Sequence, residues 1–158
     1  GPDAKEGVEM GKARSSDWTA EQMLELGTRH ATVEAEGDLD ATMATLVENP
    51  VYEFWPAGKR MTGREAVRRY YAHLIDDFMP IQESYQMVGE TLSAEALAQE
   101  YAIELKGENG PDRYRVLGVL VRSEEHPELL QGERIWGSDA FLRRMIGPIW
   151  DELESIEA

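Results

Sequence analysis

Residues 35–71 read AEGDLDATMATLVENPVYEFWPAGKRMTGREAVRRYY, and the order of signals in this stretch decides the fold. Gly37 stands where a preceding helix should end. Asp38 is a good N-cap, so a short helix is expected over Leu39 to Leu46. Asn49-Pro50 should end it, because the residue before a proline avoids the helical region. Val51 to Trp55 is dense in β-formers and reads as a short strand. Pro56-Ala57-Gly58 turns the chain. Thr62 to Glu65 has the spacing of a capping box. Ala66, Val67, Tyr70, Tyr71, Leu74, Ile75 and Phe78 then mark one apolar stripe at helical period, and Pro80 stops it.

Upstream, Thr19 and Gln22 form a second capping box, with Trp18 and Met23 placed as a hydrophobic staple. The helix they start should run to about Glu36. Residues 1–16 are rich in Gly, Lys and Glu without periodicity, and read as a disordered tail or, at Gly1-Pro2, a cloning remnant. One domain is expected over residues 17–158.

Downstream of Pro80 the period changes. Ile81 to Glu90, Leu97 to Lys106, Tyr114 to Arg122 and Leu129 to Trp136 read as strands, with a hairpin loop at Glu108-Asn109-Gly110-Pro111-Asp112. Ala94 to Glu104 also has the composition of a helix, but alternation from Gln99 to Leu105 favours a strand. Ser138 should cap a last helix carrying Phe141, Leu142, Met145, Ile146, Ile149, Trp150 and Leu153, kinked at Gly147-Pro148. Helices followed by a run of antiparallel strands means α+β. A meander of long strands must bury one face, so a curved antiparallel sheet wrapped around the N-terminal helices is expected.

A chain of 158 residues with 42% apolar content can build one packed core. It has no cysteine, which excludes disulfides, thiolate catalysis and cysteine-based metal sites. The 31 acidic residues outnumber the 16 basic ones, for a net charge of −15. That charge disfavours binding to nucleic acid or to an anionic membrane. No apolar run approaches the roughly 20 residues of a membrane helix, and no signal peptide is visible, so a cytoplasmic location is expected. Three histidines without ligand-like spacing give no metal site. No GxGxxG, Walker or GxSxG motif appears.

Two blocks resemble a known family. The first contains Gly37-Asp38-Leu39-Asp40, Tyr52-Glu53-Phe54-Trp55-Pro56, Gly63-Arg64-Glu65-Ala66-Val67 and Tyr70-Tyr71. The second is Gly132-Glu133-Arg134-Ile135-Trp136, followed by a helix. With the strand order, they resemble a SnoaL-like domain of the nuclear-transport-factor-2-like superfamily, over nearly the whole chain after Ser16. The resemblance implies a cone-shaped cystatin-like α+β barrel with one deep apolar pocket and a C-terminal helix. It implies acid–base chemistry without a cofactor, of the isomerase, lyase, dehydratase or cyclase type, and a homodimer. The superfamily also contains non-catalytic binders, so a lipophilic ligand-binding or dimerisation domain is the alternative. His30 falls where the similar ketosteroid isomerases carry their oxyanion-stabilising tyrosine. Phe54 or Trp55 falls where they carry their base, so no carboxylate fills that position unless Glu53 faces inward. Tyr52 corresponds to pocket tyrosines of scytalone dehydratases and limonene epoxide hydrolases.

The candidate catalytic residues follow. His30 can exchange a proton near neutral pH, with Glu34 one turn on to orient or charge it. A histidine hydrogen-bonded in a helix seam is the competing reading. Tyr52 is the expected oxyanion donor. Glu100 and Glu104 share one strand face, and either could be a buried base if that face meets the pocket. Their alternation with Tyr101, Ile103 and Leu105 fits a solvated outer face equally well. Phe54, Trp55, Tyr70, Tyr85, Tyr114, Trp136 and Trp150 are the expected substrate-binding wall, although each could be ordinary core. The C-terminal helix either closes the open end of the cone or packs on a second subunit.

Overall fold

The computed structural model describes residues 17–157. Helix α1 spans Ala20–Ala35. Thr19 Oγ1 accepts from the Gln22 amide, and the Gln22 side chain accepts from the Thr19 amide. That is the reciprocal cap the sequence predicts. Met23, Leu26, Gly27 and His30 form its buried face, at helical spacing. Helix α2 is shorter than expected, Leu39–Met43, capped by Asp38.

Strand β1 runs Leu46–Trp55, so it starts five residues before the predicted strand. Tertiary pairing overrides the local signal: the Leu130 amide donates to the Thr45 carbonyl, and Leu46 pairs with Leu130. Pro50 falls where the register shifts between Leu46 and Val51, a position at which a strand tolerates a missing donor. Strand β2, Lys59–Thr62, pairs with β1. Thr62 is held opposite Val51 in that pair, so the predicted Thr62–Glu65 capping box does not form. Gly63 is instead the N-cap of α3, Arg64–His73, without a side-chain hydrogen bond. A π turn, Leu74–Phe78, and a 3-10 turn, Met79–Ile81, carry the chain past Pro80.

Strands β3 (Gln82–Leu92), β4 (Ala96–Leu105), β5 (Asp112–Arg122) and β6 (Leu130–Trp136) are the four predicted strands, with the ambiguous segment resolved as strand. Helix α4 spans Asp139–Ile146, with Ser138 as its cap, and breaks at Gly147 into a 3-10 turn through Glu152. A two-residue strand β7, Glu154–Ser155, adds to β2. Sequence reading gave no sign of β7.

The seven strands form one curved, unclosed sheet in the order β3-β4-β5-β6-β1-β2-β7. The sheet is mixed rather than purely antiparallel, because β1 and β6 run parallel. At that junction Gly132 has φ +154, and a Cβ there would lie 1.8 Å from the Val51 carbonyl oxygen. Only glycine lets the two backbones approach this closely. The concave face carries Tyr52, Phe54, Leu97, Ile103, Leu120 and Ile135, and packs on α1, α3 and α4. Among the described residues no helix is long and apolar enough to cross a membrane.

Candidate active site

His30 is on the sheet-facing side of α1 and is 2% exposed. Its Nδ1 lies 2.7 Å from Oγ1 of Thr45, and that hydroxyl donates to the Thr42 carbonyl at 2.7 Å. A threonine hydroxyl has one proton. Nδ1 must therefore be the donor to Thr45, and Nε2 is the nitrogen that gains and loses a proton. Nε2 lies 3.1 Å from the Tyr71 hydroxyl, which in turn bonds the Tyr52 hydroxyl at 2.5 Å. Burial raises the Tyr52 and Tyr71 pKa values well above 10, so both stay protonated. The order Tyr52–Tyr71–His30 is a hydrogen-bonded chain from the core to the imidazole.

Two carboxylates meet the same nitrogen. Glu34 Oε1 is 3.3 Å from Nε2, one turn along α1, and Glu133 Oε2 is 4.0 Å away, on β6. Burial works against charge on His30, but the Glu34 hydrogen bond and the charges of Glu34 and Glu133 outweigh it, so its pKa rises above 6.5. Burial pushes the Glu133 carboxyl up to about 7; the imidazolium lowers it and Glu34 adds to the rise. A carboxyl tuned to neutrality is matched to proton transfer at physiological pH. The 4.0 Å separation is too long for a hydrogen bond, and both residues line the same cavity.

These groups sit at the wall of a cavity of about 290 Å³. Tyr70, Tyr85, Tyr101, Ile103, Phe78 and Ile135 supply most of the apolar wall, with Gln82 and Gln99 as neutral polar groups. Phe141 and Met145 of α4 also line it, so the C-terminal helix closes part of the cavity.

The structure separates the sequence candidates. His30, Tyr70 and Tyr85 line the cavity. Tyr52 is fully buried behind the wall and meets His30 through Tyr71. The pocket-facing placement of Glu100 and Glu104 is overturned. Their side chains are on the outer sheet face, Glu104 bonded to Arg113 at 2.7 Å and Glu100 3.9 Å from Arg115. Gln99, Tyr101 and Ile103 take the inner face, because β4 alternates and its apolar residues claim the core.

Five of the expected wall residues lie elsewhere. Phe54 is core packed against Tyr70, and Trp150 is core beneath Arg143. Tyr114 packs on Phe141, outside the cavity wall, and Trp136 is on the outer face at 37% exposure. Trp55 is outside the wall as well, donating to Glu53 at 3.1 Å. Glu53 alternates outward with it, so the first strand supplies no carboxylate to the cavity.

Glu133 is the residue that sequence reasoning missed, although it was within a stretch singled out for its resemblance. Period-two counting from Ile135 puts Glu133 on the apolar face, apart from Arg134 and Trp136. A lone acid on that face was the available signal. Thr45 and Tyr71 gave none, since their roles depend on the partner they meet in three dimensions. Among the described residues no group of three or more His, Asp or Glu side chains is arranged to hold a metal ion.

No family model and no curated protein matches the chain. Solved structures do. An NTF2-like protein of unknown function from Mesorhizobium loti is 16% identical with a TM-score of 0.60, over 75% of this chain and 93% of that one. SalBIII, an epoxide hydrolase/cyclase-like enzyme with a role in pyran ring formation in the polyether salinomycin, is 19% identical with a TM-score of 0.60, over 76% and 93%. A de novo designed protein with a curved β-sheet is 12% identical with a TM-score of 0.61, over 84% and 98%. The chain therefore has the NTF2-like, cystatin-like α+β fold. Enzymes and a designed scaffold share it, so function has to be argued from the site.

Proposed function

We propose that the chain is a cofactor-independent acid–base enzyme acting on a small apolar or aromatic carbonyl or hydroxyl compound. The observation that carries this reading is Glu133, a half-buried carboxyl in the cavity wall 4.0 Å from His30, with its pKa raised to about 7 by burial. Glu133 is the base that removes a proton from carbon or oxygen. The His30 Nε2–H, with Nδ1 anchored on Thr45, stabilises the negative charge that develops and can return a proton. The Tyr52–Tyr71 pair backs the imidazole when Nε2 is unprotonated. Isomerisation, dehydration and ring closure all use this step.

The test is proton exchange in D2O. Incubation with a panel of aryl and cyclic ketones should exchange the α-protons of at least one, followed by NMR, and Glu133→Gln should lose that exchange. No exchange above the Glu133→Gln background across the panel would remove the enzyme reading. The second reading, a non-catalytic pocket for a lipophilic molecule, draws support from Phe54, which is packed in the core where the similar isomerases place a base. A homodimer is proposed alongside either reading, supported by exposed Val88, Leu92 and Trp136; sedimentation equilibrium decides it.

A further inference from the structure

The cavity holds more negative charge than its positive groups balance. Glu34 and Glu133 both face it, and both share one cationic partner, Nε2 of His30, at 3.3 and 4.0 Å. The lining residues include no lysine or arginine. The neighbouring Arg29 donates to the Glu128 carbonyl at 3.2 Å and is not part of the wall. Among the described residues the Glu133 carboxyl has no hydrogen bond; His30 Nε2 lies 4.0 Å from it, and it is 17% exposed. With His30 protonated, one carboxylate is left without a counter-ion in surroundings where charge is poorly screened.

The rest of the wall suits a cation attached to a ring. Tyr70, Tyr85 and Tyr101 line the cavity, with the last two rings stacked at 4.5 Å. Aromatic rings attract cations and pack against other rings. Gly118 in β5 lies in the wall, and a Cβ added there would meet no atom within 4 Å. Glycine inside a strand is a cost to stability. Here it leaves a flat shelf that any side chain would occupy.

We infer that the cavity takes a ring-bearing ligand with a protonated amine, the ring over Gly118 and the ammonium against Glu133, and that it refuses anions of the same shape. The net charge of −15 draws cations toward the protein. The inference rests on the cavity being the ligand site that the proposed function makes it, and not on its being catalytic. Amine selectivity without turnover would sink the enzyme reading alone. Turnover of a neutral ketone without amine selectivity would sink this inference alone.

The experiment is calorimetric titration of the whole chain at about pH 8 with 1-naphthylmethylamine, 1-naphthalenemethanol and 1-naphthoic acid, which share a ring and differ in charge. The amine should bind at least about tenfold tighter than the alcohol, a factor equal to about 1.4 kcal/mol, and the acid should not bind. Glu133→Gln should bring the amine-to-alcohol ratio close to one. Gly118→Leu should weaken both ligands by about tenfold or more while the protein still melts cooperatively, which separates the cavity from the acidic surface. Equal binding of acid and amine overturns the inference. So does an unchanged ratio in Glu133→Gln, unchanged amine binding in Gly118→Leu, or failure of all three ligands to bind. The comparison of the three ligands on the unmodified chain decides the matter even if a variant misfolds.

Discussion

Oγ1 of Thr45 accepts from Nδ1 of His30 at 2.7 Å while donating its own proton to the Thr42 carbonyl at 2.7 Å. This fixes the tautomer of His30, and with it the nitrogen that faces Glu34, Glu133 and the cavity. Thr45→Val keeps the volume and leaves Nδ1–H buried without an acceptor. The expected loss is about 1–3 kcal/mol, read by denaturant unfolding. Proton exchange should also fall, and Thr45→Ser should restore both. A Thr45→Val protein with unchanged stability and exchange would show that the tautomer is not controlled here.

Glu133 gives a pH dependence with a definite sign. Its carboxyl is raised from 4.5 to about 7, first by burial. The folded state therefore holds a proton that the unfolded state has released, and stability falls as pH rises from about 4.5 to about 7. The His30 pKa is also raised, so its contribution is full below 6.5 and is lost as pH climbs through the folded value. The two groups titrate as a coupled pair and act in the same direction. The melting temperature should decline from pH 5 to about 8. Glu133→Gln should flatten that decline, be more stable than the parent at about pH 8 by roughly 1–3 kcal/mol, and abolish proton exchange. A parent protein whose stability rises over this range would contradict the assignment.

Tyr71 links Tyr52 to His30. Tyr71→Phe removes that link and leaves the Tyr52 hydroxyl buried without its partner, at a cost of about 1–3 kcal/mol in thermal or chemical unfolding. Tyr52→Phe removes a hydroxyl one step further from the imidazole. It should disturb exchange less than Tyr71→Phe, and an equal or larger effect would mean that Tyr52 acts on the ligand directly.

Glu100 and Glu104 pair with arginines on the outer sheet face. Exposed pairs of this kind contribute little. Glu100→Gln and Glu104→Gln should each change stability by less than about 0.5 kcal/mol and leave exchange intact. Loss of exchange in either would return the base to the outer face.

The succession of elements was legible in local sequence alone. Capping pairs, helical stripes and strand alternation are local patterns, and Thr19 with Gln22, the stripe from Ala66 to Phe78 and the four strands after Pro80 are found close to where those patterns put them. The sequence also singled out His30 and Glu34, because a helix brings residues four apart together. Tertiary structure decided what lies across space. β1 begins at Leu46 because Leu130 pairs with it, and Thr62 is not a cap because Val51 holds it in a strand. The outward turn of Glu100 and Glu104 and the inward turn of Glu133 depend on which face of each strand the helices cover. An alternating strand offers two equivalent faces, and only packing against α1, α3 and α4 makes one of them the inside.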